Sequence, residues 1–245
     1  MTQPLNHLKK ILKQVKEISQ TGAKCMAVFD LDSTLFDVSP RIQQILFDFS
    51  QTKDFQKKFP ASCKALESIK TNPRDWGIKD ALQRAGLDGH PEEFHEAIRK
   101  FWSRTFFSNE YLKYDKPYPG AVKYVQSLYE NGALVIYLSA RDTLRMGPGS
   151  EKILRHWKFP FDAHKAQLVL KPTPAGDDAR FKSDYFESVK KNHSKIWFFE
   201  NEPVNLEIVR KLHPDVELVF FDSTHSQRSH SPDDLPTIVH YLLDD

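Results

Sequence analysis

The chain has 245 residues, with 35 Lys and Arg against 33 Asp and Glu, 40% hydrophobic residues and only two cysteines. This composition excludes a disordered chain, and the near-balanced charge gives no general attraction to nucleic acid or to an anionic membrane. Cys25 and Cys63 cannot form a disulfide framework or a zinc site alone, which favours a reducing compartment. The sequence also lacks a secretory pattern and an apolar stretch of the roughly 18 residues that a membrane span needs. We therefore expect a soluble, cytoplasmic protein.

The first predicted elements are an amphipathic helix and a buried strand. Apolar residues between Leu5 and Ile18 share one helical face before the stop at Thr21 and Gly22. Residues 25–29 then form an unbroken apolar run, which is typical of a strand buried on both faces of a parallel sheet. Four later runs have the same character. They are 134–138, 168–170, 196–199 and 218–221.

Helical patterns separate the later strands, so strand and helix alternate along the chain. These patterns cover 121–130, 151–157, 182–191, 204–212 and 235–243. The alternation predicts an α/β fold with a Rossmann-like parallel sheet flanked by helices. Because ligands bind at the carboxyl ends of such strands, the polar residues that end the five runs should form one site. These residues are Asp30, Ser139, Lys171, Glu200 and Asp222.

Residues 36–116 interrupt the alternation, because this stretch has no convincing buried strand. Its helical patterns lie near 41–48, 61–69, 79–85 and 91–107. A stretch of this length is too long for a loop in a compact domain. We expect a helical cap, residues 37–116, inserted between the first and second core strands. Residues 1–36 and 117–245 would then form the core.

Two carboxylates, Asp30 and Asp32, lie two residues apart where the first strand ends. Side chains two residues apart in extended chain point to the same side, so both would face a cleft. With Thr34 they form the pattern Asp-x-Asp-x-Thr, which resembles the first motif of the haloacid dehalogenase superfamily. Three further motifs of that family follow in order. They are matched by Ser139 at the end of the next strand, Lys182 before the fourth strand, and Glu200 at the end of that strand.

The resemblance implies a chemistry for each motif residue. Asp30 would attack a phosphoryl group and form an aspartyl-phosphate, and Asp32 would act as general acid and base. Ser139 and Lys182 would stabilise the transferring group. Mg²⁺ would be held by Asp30, by the backbone carbonyl of Asp32 and by Glu200, since magnesium prefers oxygen ligands. An aspartate at position 32 favours phosphate-ester hydrolysis over carbon-halogen cleavage.

Three neighbouring residues are candidates for substrate binding. Ala140 and Arg141 directly follow Ser139, and Lys171 directly ends a strand. Lys171 also competes with Lys182 for the charge-neutralising role. The sequence departs from the family at its fourth motif, because Glu200 and Asn201 stand where the family has aspartate, often two. This difference bears on the affinity for a metal and on which metal is preferred.

The sequence therefore predicts a magnesium-dependent phosphomonoester phosphatase that acts on a small phosphorylated substrate. No membrane partner is expected, nucleic acid is not the expected substrate, and the oligomeric state stays open. Two alternatives use the same core. One is a phosphotransferase or a nucleic-acid end-processing enzyme, and the other is a non-catalytic module that binds phosphate or a partner.

Overall fold

The computed structural model describes residues 4–243, so residues 1–3 and 244–245 of the predicted core lie outside it. Within this range the strands are β1 Cys25–Phe29, β2 Phe36–Asp37, β3 Lys116–Pro117, β4 Leu134–Asp142, β5 Ala166–Lys171, β6 Lys195–Glu200, β7 Val216–Phe221 and β8 Thr237–Ile238. The α-helices are α1 Pro4–Gln20, α2 Ser39–Ser50, α3 Lys53–Lys58, α4 Pro60–Ser68, α5 Lys79–Arg84, α6 Glu92–Phe106, α7 Ala121–Glu130, α8 Thr143–His156, α9 Asp178–Val189 and α10 Pro203–Leu212. None of these helices has both the length and the apolar character to span a bilayer.

Six strands form one parallel sheet in the order β5, β4, β1, β6, β7, β8. Successive side chains of a strand point to opposite faces, so β1 contributes to two hydrophobic clusters. Phe29 packs on the face covered by α1 and α7, whereas Val28 packs on the face covered by α9 and α10. The predicted α/β class with a Rossmann-like parallel sheet is confirmed. The same burial on both faces explains why these strands read as unbroken apolar runs.

Residues 37–116, hereafter the helical insertion, contain α2 to α6 and a hydrophobic cluster of their own that includes Leu46, Phe55 and Phe94. The four predicted helical patterns correspond to α2, α4, α5 and α6. The sequence analysis missed α3 and the short antiparallel pair of β2 and β3. In this pair Phe36 lies opposite Pro117, so the chain enters and leaves the insertion at neighbouring points. The division into domains at these boundaries stays a prediction.

The predicted carboxyl-terminal helix over 235–243 is wrong, because this segment contains β8 and no helix among its described residues. The edge of β7 needs backbone partners, and the segment supplies them. Phe220 N donates to Pro236 O, and Asp222 N donates to Ile238 O. The apolar spacing that suggested a helix instead buries Ile238 and Tyr241 against the core.

Two helices also begin earlier than predicted. Helix α8 begins at Thr143, where the Asp142 carboxylate accepts a hydrogen bond from Arg145 N and caps the first turn. Helix α9 begins at Asp178, with Asp177 as its cap, so Lys182 lies in the second turn and not at the helix start. Strand β4 continues past Ser139 to Asp142 with an irregular register. These differences lie at element ends, where capping side chains decide the boundary.

Candidate active site

The carboxyl ends of the three central strands bring the motif residues together. Asp30 directly follows β1, and its backbone N donates to Phe199 O of β6 at 3.0 Å. Ser139 lies in β4, and Glu200 ends β6. All three side chains are buried in the described structure. The tight turn after Asp30 places Ser33 at a φ of 60°, a left-handed conformation that is uncommon for a side-chain-bearing residue and is found at functional sites.

Asp30, Lys182 and Glu200 form one buried charge cluster, hereafter the lysine cluster. Lys182 Nζ lies 2.6 Å from Asp30 Oδ1 and 2.5 Å from Glu200 Oε2. The side chain of Lys182 is 2% exposed, so this ammonium group is shared by two carboxylates away from solvent. With all three groups ionised, the cluster carries one excess negative charge. The structure therefore joins three of the predicted catalytic and metal-binding residues directly.

Burial and charge act in opposite directions within the lysine cluster. Burial raises the pKa of the Asp30 carboxyl to about 7, against the attraction of Lys182, and Glu200 adds to the rise. Burial lowers the pKa of Lys182, but the attraction of Asp30 and Glu200 is larger in sum and leaves that pKa above its ordinary value. Lys182 is thus a permanent cation beside a carboxylate that one further positive charge would keep ionised.

A second buried network, hereafter the arginine cluster, consists of Asp32, Arg41, Asp115 and Arg141. Arg141 donates to both Asp32 oxygens, from Nε at 2.9 Å and from Nη2 at 2.7 Å. Arg41 donates from Nη2 to Asp32 Oδ1 at 2.5 Å and to Asp115 Oδ2 at 2.6 Å. Arg141 Nη2 also reaches Asp115 Oδ2 at 2.8 Å. Two carboxylates and two guanidinium groups balance, so this cluster has no net charge.

The arginine cluster keeps Asp32 ionised. Burial raises the pKa of the Asp32 carboxyl, but Arg141 and Arg41 outweigh this effect and hold it well below its usual range. The pKa of Asp115 is raised, because burial dominates there over the same two arginines. Of the four side chains, only that of Asp32 is partly exposed, at 29%. Asp32 is therefore the most open member of the arginine cluster, and Arg141 also lines the cavity.

Arg41 and Asp115 were not predicted from the sequence, although both are fully buried. The available signal is the position of Arg41 in α2, one residue before Ile42 and four before Ile45, on the apolar face. A long cation in a buried stripe requires a carboxylate partner. That partner, Asp115, lies 74 residues later in the chain, and no local pattern indicates it.

Glu200 is fully occupied by hydrogen bonds. Its Oε1 accepts from the backbone N of Asn201 and of Glu202, each at 3.0 Å. Its Oε2 accepts from Lys182 Nζ at 2.5 Å and from Asn205 Nδ2 at 3.0 Å. A carboxylate offers about four acceptor positions, and all four are used here. Glu200 could bind a metal only by giving up one of these donors.

The oxygens that retain acceptor capacity belong to Asp30 and Asn201. Thr34 Oγ1 lies 3.2 Å from Asp30 Oδ2 and 2.9 Å from Asn201 Oδ1, so both oxygens lie beside the same hydroxyl group. Residues 4–243 contain no group of three or more His, Cys, Asp or Glu side chains arranged for a metal. One carboxylate and one amide oxygen nevertheless suit Mg²⁺, which commonly keeps several waters and binds a substrate phosphate. The excess negative charge of the lysine cluster is consistent with an added cation.

The remaining predicted residues divide into those at the site and one beside it. Ser139 Oγ accepts from Arg141 N at 3.3 Å, which leaves its hydroxyl proton free to donate, and Ala140 lines the same cavity. Lys171 points elsewhere. Its Nζ donates to Asp178 Oδ1 at 2.7 Å and to Gly176 O at 2.8 Å, and so it steadies the loop before α9. Lys182, and not Lys171, contacts Asp30.

A cavity of about 770 Å³ lies between the strand ends and the helical insertion. Asp30, Asp32 and Lys182 line its floor. The insertion also contacts the core at the rim, where Arg74 Nη1 donates to Asp222 Oδ1 at 2.5 Å and to Ser223 O at 2.9 Å. The cavity has the size of a typical small-molecule site, with ionisable groups converging at one end.

No protein-family model matches the sequence, and no curated protein is significantly similar to it. Solved structures are similar in fold. A candidate phosphatase from Clostridium difficile is 14% identical, with a TM-score of 0.51 over 82% of this chain and 86% of its own. Protein Tyrosine Kinase A from Mycobacterium tuberculosis is 13% identical, with a TM-score of 0.51 over 88% of this chain and 93% of its own. A haloacid dehalogenase-superfamily hydrolase of subfamily IA from Geobacter sulfurreducens is 10% identical, with a TM-score of 0.50 over 89% and 93%.

At these identities the likeness concerns the arrangement of strands and helices, and fold alone does not assign an activity. In this chain β1 lies between β4 and β6 in the sheet. Asp30 directly follows β1, and the long insertion comes after it. The chain has the fold of the haloacid dehalogenase-like hydrolases.

Proposed function

We propose that the protein is a phosphomonoester phosphatase of the haloacid dehalogenase type, with Asp30 as its nucleophile. The observation that carries this proposal is the contact of 2.6 Å between Asp30 and Lys182 at the floor of a cavity of ligand size. A buried carboxylate paired with a buried ammonium group provides a nucleophile and a charge partner for phosphoryl oxygens. The protein of similar fold from Clostridium difficile is a candidate phosphatase, which supports the same class.

The reaction would proceed in two displacements. A carboxylate oxygen of Asp30 attacks phosphorus, the bond to the ester oxygen breaks, and the alcohol leaves with one proton. Water then attacks the aspartyl-phosphate, releases inorganic phosphate and restores Asp30. Lys182 Nζ and the Ser139 hydroxyl group donate to the phosphoryl oxygens as charge moves onto them. Ala140 contributes to the wall beside them, and Arg141 is the further cation within reach.

Asp32 would act as the general acid and base, and its hydrogen bonds with arginines limit when it can do so. In the described structure both of its oxygens accept from arginines. In this state Asp32 is ionised, but it must give up an arginine contact before it can accept a proton from the attacking water, because the arginines hold its pKa low. To donate a proton to the leaving alcohol it must also take up a proton from solvent, and a bound phosphate that competes for Arg141 would raise the pKa of Asp32 toward that state. Phosphate binding would thus release Asp32 for its first task.

We propose Asp30 and Asn201, with the backbone carbonyl of Asp32, as the residues that hold Mg²⁺. When bound, the ion neutralises negative charge between the carboxylate and the phosphate and so permits their approach. The role of Glu200 as a ligand stays a prediction, and its four hydrogen bonds favour a different one. Glu200 anchors Lys182 and the start of α10, which positions the ammonium group against Asp30.

The test is hydrolysis of an aryl phosphate by the purified chain, with Mg²⁺ and with a chelator, beside Asp30→Asn. We expect metal-dependent phosphate release that falls by at least about 10³-fold in Asp30→Asn, because the amide keeps the shape and loses the nucleophile. Circular dichroism of the variant controls for folding. Wild-type turnover by Asp30→Asn would contradict the covalent mechanism.

One observation favours a second candidate, a non-catalytic phosphate-binding module. The full occupation of Glu200 leaves a single carboxylate for a metal in the lysine cluster. Binding of phosphate by the folded protein without turnover, across Mg²⁺, Mn²⁺ and Co²⁺, would support this candidate over the phosphatase. A phosphotransferase or an end-processing enzyme would use the same residues and would be recognised by transfer to an added acceptor or by competition from phosphorylated oligonucleotides.

A further inference from the structure

The cavity above Asp30 has two walls of opposite character. Its floor, at the strand ends, is formed by ionised groups of the lysine and arginine clusters. Its opposite side comes from the helical insertion, which contributes an apolar wall together with the charged side chains of Asp75, Lys79 and Arg99. That wall contains Val38, Ile42, Ile78, Trp102, Phe106 and Phe107.

Three rings form a continuous aromatic surface on the apolar wall. The ring centroids of Trp102 and Phe106 are 5.0 Å apart, those of Phe106 and Phe107 are 5.1 Å apart, and those of Trp102 and Phe107 are 5.9 Å apart. The guanidinium of Arg41 lies 4.3 Å from the Phe106 centroid, so the arginine cluster also packs against one of these rings. Rings that are packed against each other lose little freedom when a ligand binds to them.

We propose that the substrate is a phosphomonoester of an alcohol that carries an uncharged aromatic ring, with the ring held against Trp102, Phe106 and Phe107. This inference rests on the proposed phosphatase function and adds the class of the leaving group. The phosphate would occupy the charged floor, and the cavity of about 770 Å³ leaves room for a ring system above it. An aromatic group gains from burial and from ring packing there.

The experiment compares phenethyl phosphate with ethyl phosphate. Both are esters of primary alcohols, so the scissile bonds have similar reactivity and differ only in the distant ring. We expect the ratio of their kcat/KM values to be about tenfold or more in favour of phenethyl phosphate, as for apolar groups in specific pockets. Trp102→Ala should bring this ratio at least about threefold closer to one. A ratio does not depend on the folded fraction, so partial misfolding of the variant does not affect it.

The matched control is Phe101→Ala, which removes a ring from the same helix. Phe101 packs against Phe49 inside the insertion, 5.2 Å between centroids, and does not line the cavity. We expect this variant to keep the wild-type ratio. An equal fall in both variants would assign the preference to general loosening of the insertion and would overturn the inference.

The outcomes separate this inference from the proposed function. Hydrolysis of both esters with a ratio near one would overturn the aromatic preference and leave the phosphatase intact. If neither ester is hydrolysed, the phosphatase proposal fails, and calorimetric titration of the Asp30→Asn protein with each ester then decides the ligand class. Tighter binding of phenethyl phosphate would support the aromatic site, and equal or absent binding would overturn it.

Discussion

The two carboxylates of the first motif are separated by one residue but lie in different electrostatic surroundings. Asp30 belongs to the lysine cluster, in which two carboxylates share one ammonium group and negative charge is in excess. Asp32 belongs to the arginine cluster, in which two carboxylates and two guanidinium groups balance. Most side chains of both clusters are buried, so the number of cations sets the main difference between the two clusters. The lysine cluster has an excess negative charge that a further cation would neutralise, whereas the charges of the arginine cluster already balance.

This difference teaches how one short motif can supply two chemical roles. In the proposed mechanism Asp30 must be ionised when the phosphate binds, and in the lysine cluster this requires an added cation. A carboxylate that accepts and donates protons must be able to exchange its hydrogen bonds. The partly exposed Asp32 is the member of the arginine cluster placed to do so. Changes that alter the charge of one cluster at a time should therefore have unequal effects.

The largest effect on stability is expected from Lys182→Met. The substitution leaves Asp30 and Glu200 buried without their cation, and breaking a buried ion pair costs about 3 to 5 kcal/mol. Urea unfolding followed by tryptophan fluorescence measures the loss. The matched control is Lys171→Met, because Lys171 pairs with Asp178, whose side chain is 51% exposed. If Lys171→Met lowered the free energy of unfolding as much as Lys182→Met does, the stability effect would not be specific to the lysine cluster.

A smaller loss is expected from Asp115→Asn, which gives the arginine cluster one excess positive charge. The amide still accepts from the arginines, so we expect a cost of about 2 to 3 kcal/mol, below that of Lys182→Met. Thermal unfolding of matched samples measures it. Asp222→Asn is the control, since its partner Arg74 is 57% exposed and surface pairs contribute at most about 1 kcal/mol. Equal losses in the two variants would mean that burial of the cluster contributes nothing.

The smallest effects should appear in the pH dependence of stability, measured in chelator. The pKa of Asp32 is lowered in the folded protein, so its stabilising contribution is present above its ordinary pKa near 4 and is lost at lower pH. The pKa of Asp30 is raised to about 7, so its contribution is present below pH 4 and is lost as the pH rises toward 7. Asp32→Asn should flatten the acid limb, and Asp30→Asn should flatten the slope between pH 4 and 7. If the free energy of unfolding changed in the same direction with pH in both ranges, the contrast between Asp30 and Asp32 would be wrong.

The sequence predicted those features that local pattern and motif order determine. Strands such as β1 and β6 were recognisable because burial on both faces leaves an unbroken apolar run in each of them. Asp30, Lys182 and Glu200 were predicted because their order and their places at strand and helix ends resemble the motifs of a known family, and in the structure the three side chains are in contact. Lys171 and Lys182 could not be separated from the sequence, since both lie near strand or helix ends. Only the contact with Asp30 distinguishes them.

Features that depend on distant partners were not predictable. Arg141 and Asp32 are 109 residues apart, and Arg41 and Asp115 are 74 residues apart, so no local pattern indicates these pairs. The segment 235–243 was misread because its apolar spacing fits a helix face, whereas backbone groups at the β7 edge determined its conformation. The apolar wall of the cavity was likewise ambiguous, because rings such as Trp102 serve the interior of the insertion and the cavity at once.

The short ladder of β2 and β3 has a consequence for how the helical insertion could change in evolution. Phe36 pairs with Pro117 and Asp37 with Lys116, so the two ends of the insertion are already joined before the intervening chain begins. The parallel sheet is therefore continuous without the helices that lie above it. Exchange of the segment between these residues for one of another length would leave Asp30, Lys182 and Glu200 in place, but it would remove Arg41 and Asp115 from the arginine cluster. The ladder thus allows the insertion to vary without a break in the parallel sheet, whereas the contact of Arg41 with Asp32 ties one of its helices to the first motif.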